Sequence, residues 1–408
     1  MWAKTANEVR WSWRKNAPDL LALLTRNYPR FMFEANPPPL RDEIPVFTFH
    51  SVEPEAFRRA LEFLQHNQYR TLDGTEFHAV LQGTRSLPER SVMLTFDDGR
   101  ATLYTVVFPL LKKFGYKAVS FIIPGLIPDS APPSPNYDDY ASGQVSADEL
   151  LAREQSRAPL CSWEEITEMH ESGVIDFQSH TMYHHQACVS EQLIDFMHPE
   201  FDPYFFGNIA IPAYRVNSRI DYERQLPLGT PLYRAEPRMA GHPQYFDNES
   251  LRATCVQFVA AHGGEAFFRH SDWRTRLQTF YQNARPAHNR DCWETVEDYN
   301  KDISQDLQQS KQIIEERLSG KSVTQLCFPW FMGSEIAVRA ARESGYSVNY
   351  WGIVPQRPTN RQFQDPYHVP RLEDRYLWRL PGEGRKSLRE ILQTKFTKHL
   401  PALLGKLH

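Results

Sequence analysis

The sequence predicts an α/β fold built on a parallel sheet, and three observations predict it. Short apolar runs that end in polar or turn residues read as strands, as in "IPVFTFH" (44–50) and "SVMLTF" (91–96). Between them lies "AFRRALEFLQHNQY" (56–69), with apolar residues at helical spacing. The alternation then recurs along the chain, which suits a barrel or a doubly wound sheet.

The elements follow in order. "FPLLKKFGYKAVSFIIPG" (108–125) reads as helix, glycine turn and strand. "SWEEITEMHESGVIDFQSH" (162–180) repeats the unit, with Ser162 placed as N-cap and Glu165 three residues on. "DISQDLQQSKQIIEERLSGKSVTQLCFP" (302–329) and "SEIAVRAARESGYSVNYWG" (334–352) complete the series. Two stretches interrupt it. "PDSAPPSPNYDDYASGQ" (128–144) has the Pro, Ser and Asp content of an irregular surface loop. A longer insertion over about 187–292 is rich in aromatics, Pro and Arg.

Composition narrows the function classes. With 408 residues, 41% hydrophobic and 13% aromatic, the chain can bury one large core. A formal net charge of -4 gives no electrostatic case for nucleic acid. Cys161, Cys188, Cys255, Cys292 and Cys327 are odd in number and scattered, so reduced thiols are expected, with neither a disulfide framework nor a cysteine zinc site. The first 24 residues lack the apolar core of a signal peptide, so the expected location is cytoplasmic. Aromatic and basic residues at both ends, among them Trp2, Trp11, Trp13, Arg10 and Arg14, leave room for peripheral contact with the inner membrane face.

In parallel α/β folds the functional groups gather at the C-terminal ends of strands. Those ends carry His50, Asp97, Asp98, His180 and His184, and the turn "FPWF" (328–331). Two neutral imidazoles and one carboxylate make a ligand set suited to Zn²⁺ or a similar ion, with positions left open for water and substrate. One aspartate of the pair would then ionise against the metal while its neighbour takes a proton from water. Adjacent residues on an ideal strand point oppositely, so a turn at Gly99 is expected to swing both toward one site.

"LTFDDG" (94–99) followed by "SHTMYHH" (179–185) resembles the first two motifs of the polysaccharide deacetylase family, the NodB-homology carbohydrate esterases. The likeness covers about 44–129, 160–186 and 295–373. It implies a deformed (β/α)7-type barrel; the residues themselves add a helical N-terminal extension over 1–40, before a catalytic domain over 41–375. That domain carries insertions at about 130–158 and 187–292, and a basic amphipathic C-terminal helix follows over 376–408. Position by position, the resemblance makes Asp98, His180 and His184 the ligands of one divalent metal, and Asp97 the general base. Zinc is the expected ion, with Co, Ni or Fe as alternatives. His50, in "FTFH", corresponds to the acid histidine of the subgroup in which that motif precedes the aspartates. Pro329, Trp330 and Phe331 correspond to the third motif and are expected to line the substrate site.

The third motif departs from the family pattern. It reads Cys327-Phe328-Pro329-Trp330, without the arginine that would orient the base, and Arg371 in "VPRL" is the expected substitute from a neighbouring strand. The implied activity is metal-dependent hydrolysis of an N-acetyl or other N-acyl group from an amino sugar. The expected partner is an N-acylated saccharide, linked to a lipid or nucleotide if the protein stays inside the cell. Arg215, Arg219, Arg224, Arg234 and Arg238 are available to hold its phosphates. Two alternatives stay open: hydrolysis of another amide, such as deformylation, and a non-catalytic glycan-binding protein on the same scaffold.

Overall fold

A computed structural model describes residues 17–201, 209–217, 219–288 and 292–394. Its centre is a parallel sheet built from β1 (Val46–Phe49), β2 (Arg70–Thr71), β3 (Ser91–Asp98), β4 (Ala118–Ile122) and β5 (Ile175–Ser179). Farther along the chain, β12 (Gln325–Cys327), β13 (Val348–Tyr350) and β14 (Leu372–Glu373) complete it. The strand order is β13-β12-β5-β4-β3-β1-β14, with β2 joined to β3. Every pairing in it is parallel, as crossover helices require.

The sheet curls until its ends meet. Leu372 pairs with Phe47 of β1, while Val369, three residues earlier, bridges to Tyr350 of β13. The segment 369–373 therefore closes the barrel. Alternation along each strand then sorts side chains into two layers. Met93, Val119, Phe121, Cys327, Tyr350 and Val369 fill the interior. Leu94, Phe96, Ile122, Phe177 and Leu326 face outward against the helices. The helix Pro54–His66 seals that outer layer with Phe57, Leu61 and Leu64, and Glu53 caps its first turn from the side chain.

Helix starts follow the sequence signals. Ser162 and Glu165 form the expected capping box of the helix Trp163–Glu171. The stretch 128–144 differs from its reading as an irregular loop, because it holds a helix, Tyr137–Ala141, followed by another over Ala147–Leu151. Each opens on a capping box, Asn136 with Asp139 and Ser146 with Glu149, a signal that the Pro- and Ser-rich composition masked.

The long insertion has its own sheet and core. β6 (Gln186–Phe196), β7 (Pro212–Val216), β8 (Arg219–Asp221) and β9 (Pro231–Pro237) run in the order β8-β7-β6-β9. A two-stranded ladder of β10 (Tyr245–Phe246) and β11 (Cys292–Trp293) follows, with the helices Glu249–Ala261 and Trp273–Ala284 between. Phe196, Tyr214, Tyr233, Trp273 and Leu277 pack together as a separate cluster.

At the N-terminal side, residues 17–24 are helical, and Tyr28, Phe31 and Met32 enter the main core. Arg379 binds the Met32 carbonyl through both Nε (3.0 Å) and Nη2 (2.8 Å), tying this extension to the chain's far end. Residues 1–16 and 395–408, where most of the aromatic and basic terminal residues fall, lie outside the described residues. No described helix is long and apolar enough to cross a membrane.

Candidate active site

β3 runs two residues past its apolar stretch and delivers both carboxylates to the barrel rim. Asp97 continues the inward-facing series of Met93 and Thr95. Asp98 would face outward, but it takes a left-handed backbone (φ +74°), and Gly99 follows at φ +73°. The swing thus begins one residue earlier than the sequence indicated, at an aspartate rather than at the glycine. A non-glycine residue there costs about 1–3 kcal/mol and persists where the surroundings hold it.

Asp97 is fully paired. Arg371 reaches it from the closing segment, with Nη1 2.7 Å from Oδ1 and Nη2 2.8 Å from Oδ2. This two-pronged geometry fixes direction as well as charge. Arg371 also donates to Thr95 Oγ1 (3.2 Å) and the Trp351 carbonyl (3.3 Å), and its side chain is wholly buried. Cys327 lies against the pair, its Sγ 2.9 Å from Arg371 Nη2. Burial alone would push Asp97 up, but the Arg371 guanidinium overrides it and holds the carboxyl well below the usual range. Burial drives the Cys327 thiol well up, so it stays protonated.

Asp98 is the opposite case. Burial pushes its carboxyl up to about 6 against the pull of His50, and Oδ1 is buried with no hydrogen-bond partner. His180 Nε2 and His184 Nε2 stand 3.6 and 3.8 Å from that oxygen, too far for hydrogen bonds. The turn after β5 places both imidazoles, with Thr181 at φ +67° and His184 at φ +47°. His180 Nδ1 bonds the Cys327 carbonyl at 2.8 Å, which protonates that nitrogen and leaves Nε2 a lone pair aimed at Asp98. Burial lowers the pKa of His180, and that of His184 farther, so both are neutral near pH 7.

These donors fit a divalent cation. A tetrahedral ion with bonds of about 2.0–2.2 Å spaces its donors roughly 3.3–3.6 Å apart, close to the observed spacing. The orphaned Asp98 Oδ1, the free Nε2 lone pair of His180, the partnerless His184 Nδ1 and the burial of all three residues are what a metal site would account for. A second close group, Asp97, His180 and Cys327, suits a metal less well, because Arg371 already holds the carboxylate and faces the protonated thiol.

The third motif forms the wall beside the imidazoles. Trp330 and Phe331 follow one another at φ +51° and +63°, a strained turn for two aromatic residues. The Trp330 ring packs against His184 with centroids 4.2 Å apart, and Pro329 is buried beneath. Phe331 sits between Arg371, 5.0 Å from its centroid, and the exposed His50 ring at 6.3 Å. All nine sequence-predicted residues therefore fall at one end of the barrel.

Four of the five insertion arginines meet partners of their own, and the fifth, Arg219, is exposed. Arg238 is buried on Glu294 and Asp302, Arg234 pairs with Glu236, and Arg215 lies over the Phe246 ring. Arg224 is fully buried, with Nη1 3.4 Å from the Tyr183 carbonyl. Sequence reasoning missed what Arg238 does with its backbone: its N–H donates to the His185 carbonyl (3.1 Å), joining the insertion to the histidine turn. No local pattern signals a main-chain contact over that distance.

A carboxylate held ionised by a buried guanidinium, beside an Asp-His-His set at the C-terminal rim of a parallel barrel, defines the class: a parallel α/β barrel with a candidate metal centre at its rim. Residues 84–199 match the family model for polysaccharide deacetylase. Its similar proteins include the poly-β-1,6-N-acetyl-D-glucosamine N-deacetylase of Escherichia coli (strain K12), 33% identical over 36% of this chain. The protein of the same name from Staphylococcus epidermidis is 30% identical over 32% of this chain. The alignments span only 20% and 37% of those proteins' own lengths. Among solved structures, the BpsB deacetylase domain from Bordetella bronchiseptica aligns with 83% of this chain and 97% of that one, at 18% identity and a TM-score of 0.49.

Proposed function

We propose that the protein removes N-acetyl groups from an amino-sugar polymer, of the kind named for the E. coli and S. epidermidis relatives, by metal-assisted hydrolysis. One observation carries this reading: a buried, orphaned Asp98 oxygen faced by two neutral imidazoles, next to an Asp97 that Arg371 keeps ionised. Asp98, His180 and His184 would hold the ion, which when bound acidifies a water and polarises the amide carbonyl. Zinc suits this donor set best, with Co, Ni and Fe as alternatives.

The protein's own groups supply the rest. Asp97, aligned by the Arg371 fork, accepts the proton of the attacking water. Phe331 and Met332 spend their N–H groups on the turn itself, which leaves Trp330 N–H as the turn's donor for the developing oxyanion. His50, on the open side of the rim, protonates the departing amine. Trp330 gives its inner side to His184, so sugar meets its outer edge and Phe331.

A non-catalytic glycan binder drew its support from the missing third-motif arginine, and the placement of Arg371 removes that support. The pairing of Arg234 and Arg238 favours a polymer over a phosphate-linked sugar. Cytoplasmic residence and contact of the termini with an anionic membrane belong to the same reading, and the exposed Leu20, Leu21 and Leu24 support the membrane part. Cell fractionation and vesicle sedimentation test them. The activity is tested by acetate release from β-1,6-linked N-acetylglucosamine oligomers, with lipid-linked, nucleotide-linked and N-formyl sugars as comparisons and Asp97→Asn as the blank. Release from none of these, by a metal-loaded protein, refutes the reading.

A further inference from the structure

The turn that carries the two imidazoles is strained and gripped from behind. Two left-handed, non-glycine residues, Thr181 and His184, flank Met182 and Tyr183. Within the turn only long hydrogen bonds hold this shape: Thr181 N–H to Ser179 Oγ and His184 N–H to Thr181 Oγ1, both 3.2 Å. The shorter contacts come from outside. Met182 N–H donates to Asp306 Oδ1 at 2.9 Å, and the Met182 carbonyl accepts from Gly125 N–H at 2.9 Å. One helical turn after Asp306, Ser310 Oγ meets Ser179 Oγ at 2.7 Å.

Asp306 and Ser310 lie on the 22-residue helix Val296–Arg317, the longest described helix. Asp306 is buried, and its Oδ2 has no hydrogen-bond partner among the described residues. A buried carboxyl with one oxygen on a turn's N–H and the other unpaired is costly for stability alone, so its use lies in what the turn holds.

We infer that Asp306 is a positioning residue for the metal ligands: it pins Met182 N–H to a rigid helix and so keeps His184, two residues on, within reach of Asp98. The inference rests on the metal reading proposed above. The acceptor on Met182 N–H is a carboxyl oxygen, and an amide in its place keeps the shape and offers the same acceptor. Outer groups that orient ligands typically account for about 10–100-fold in metal affinity.

The test uses the full chain, with zinc affinity measured by chelator competition and the visible spectrum of the cobalt-loaded protein as a second readout. Asp306→Ala is expected to weaken zinc binding by about 10–100-fold and to alter the cobalt spectrum, while Asp306→Asn stays near wild type. If the alanine variant does not fold, Asp306→Ser serves, because its short hydroxyl is satisfied by the helix's own carbonyls and cannot reach Met182. Unchanged affinity and spectrum in the folded alanine or serine variant overturn the inference, as does an asparagine variant as weak as alanine. A wild-type chain that takes up no zinc or cobalt sinks the metal reading itself.

Discussion

The two sides of the barrel rim treat neighbouring carboxylates in opposite ways. Around Asp97 both carboxylate oxygens have guanidinium donors at 2.7 and 2.8 Å, and the group is ionised by the protein alone. Around Asp98, Oδ1 has no donor, the nearest nitrogens belong to neutral imidazoles, and burial favours the protonated form. One side is complete as folded, and the other, on the proposed reading, would be finished by a cation. Adjacent acids can therefore coexist in a buried site, because each is neutralised by a different agent.

This contrast can be broken or sharpened by experiment. The largest effect is expected on the cation side: Asp98→Ala should abolish stoichiometric metal and lower kcat/KM by about three orders of magnitude or more, read by metal analysis and acetate release. On the arginine side, Arg371→Met leaves a buried carboxylate unpaired and should cost about 3–5 kcal/mol in a denaturant melt. It should also move the acid limb of the kcat/KM profile to higher pH. The sign follows from Asp97 being held below its unfolded value: its ionised form stabilises the fold above the unfolded pKa, and this is lost as pH falls through the folded one. Without Arg371, burial dominates and the base protonates sooner. Next, His50→Gln should cut kcat about a hundredfold while leaving metal content intact, separating a proton donor from the ligands. The smallest effect is on stability: zinc at 100 times its Kd should raise the unfolding free energy by about 2.7 kcal/mol, a gain that chelator removes and Asp98→Ala never shows.

What could be read from the sequence follows how local the signal is. Asp97 and Asp98 sit on one strand end, and His180 and His184 on one turn, so their spacing marks each pair at the rim, although left-handed backbone at Asp98, Thr181 and His184 is what turns them to one site. Arg371 was reachable only through strand order, since it lies 274 residues from Asp97. Asp306 and the backbone of Arg238 gave no signal, because their contacts are with main-chain groups that any residue presents. The insertion's sheet was hidden too: β6 reads as mixed buried and exposed residues, with register shifts against β9 between Cys188 and Asp195, so no clean alternation survives. The helix at Tyr137 was lost to composition, although its capping box was written in the sequence.

The closing segment 369–373 has a consequence for how the protein comes into being. The span that matches the family model, 84–199, holds both aspartates and both imidazoles but not the guanidinium. On a ribosome, those four residues emerge long before Arg371, so Asp97 is made without the guanidinium that fixes both its oxygens. On the proposed reading, the aligned base is completed last, with the strand that shuts the sheet, so a nascent or truncated chain ending before 369 is expected to lack it.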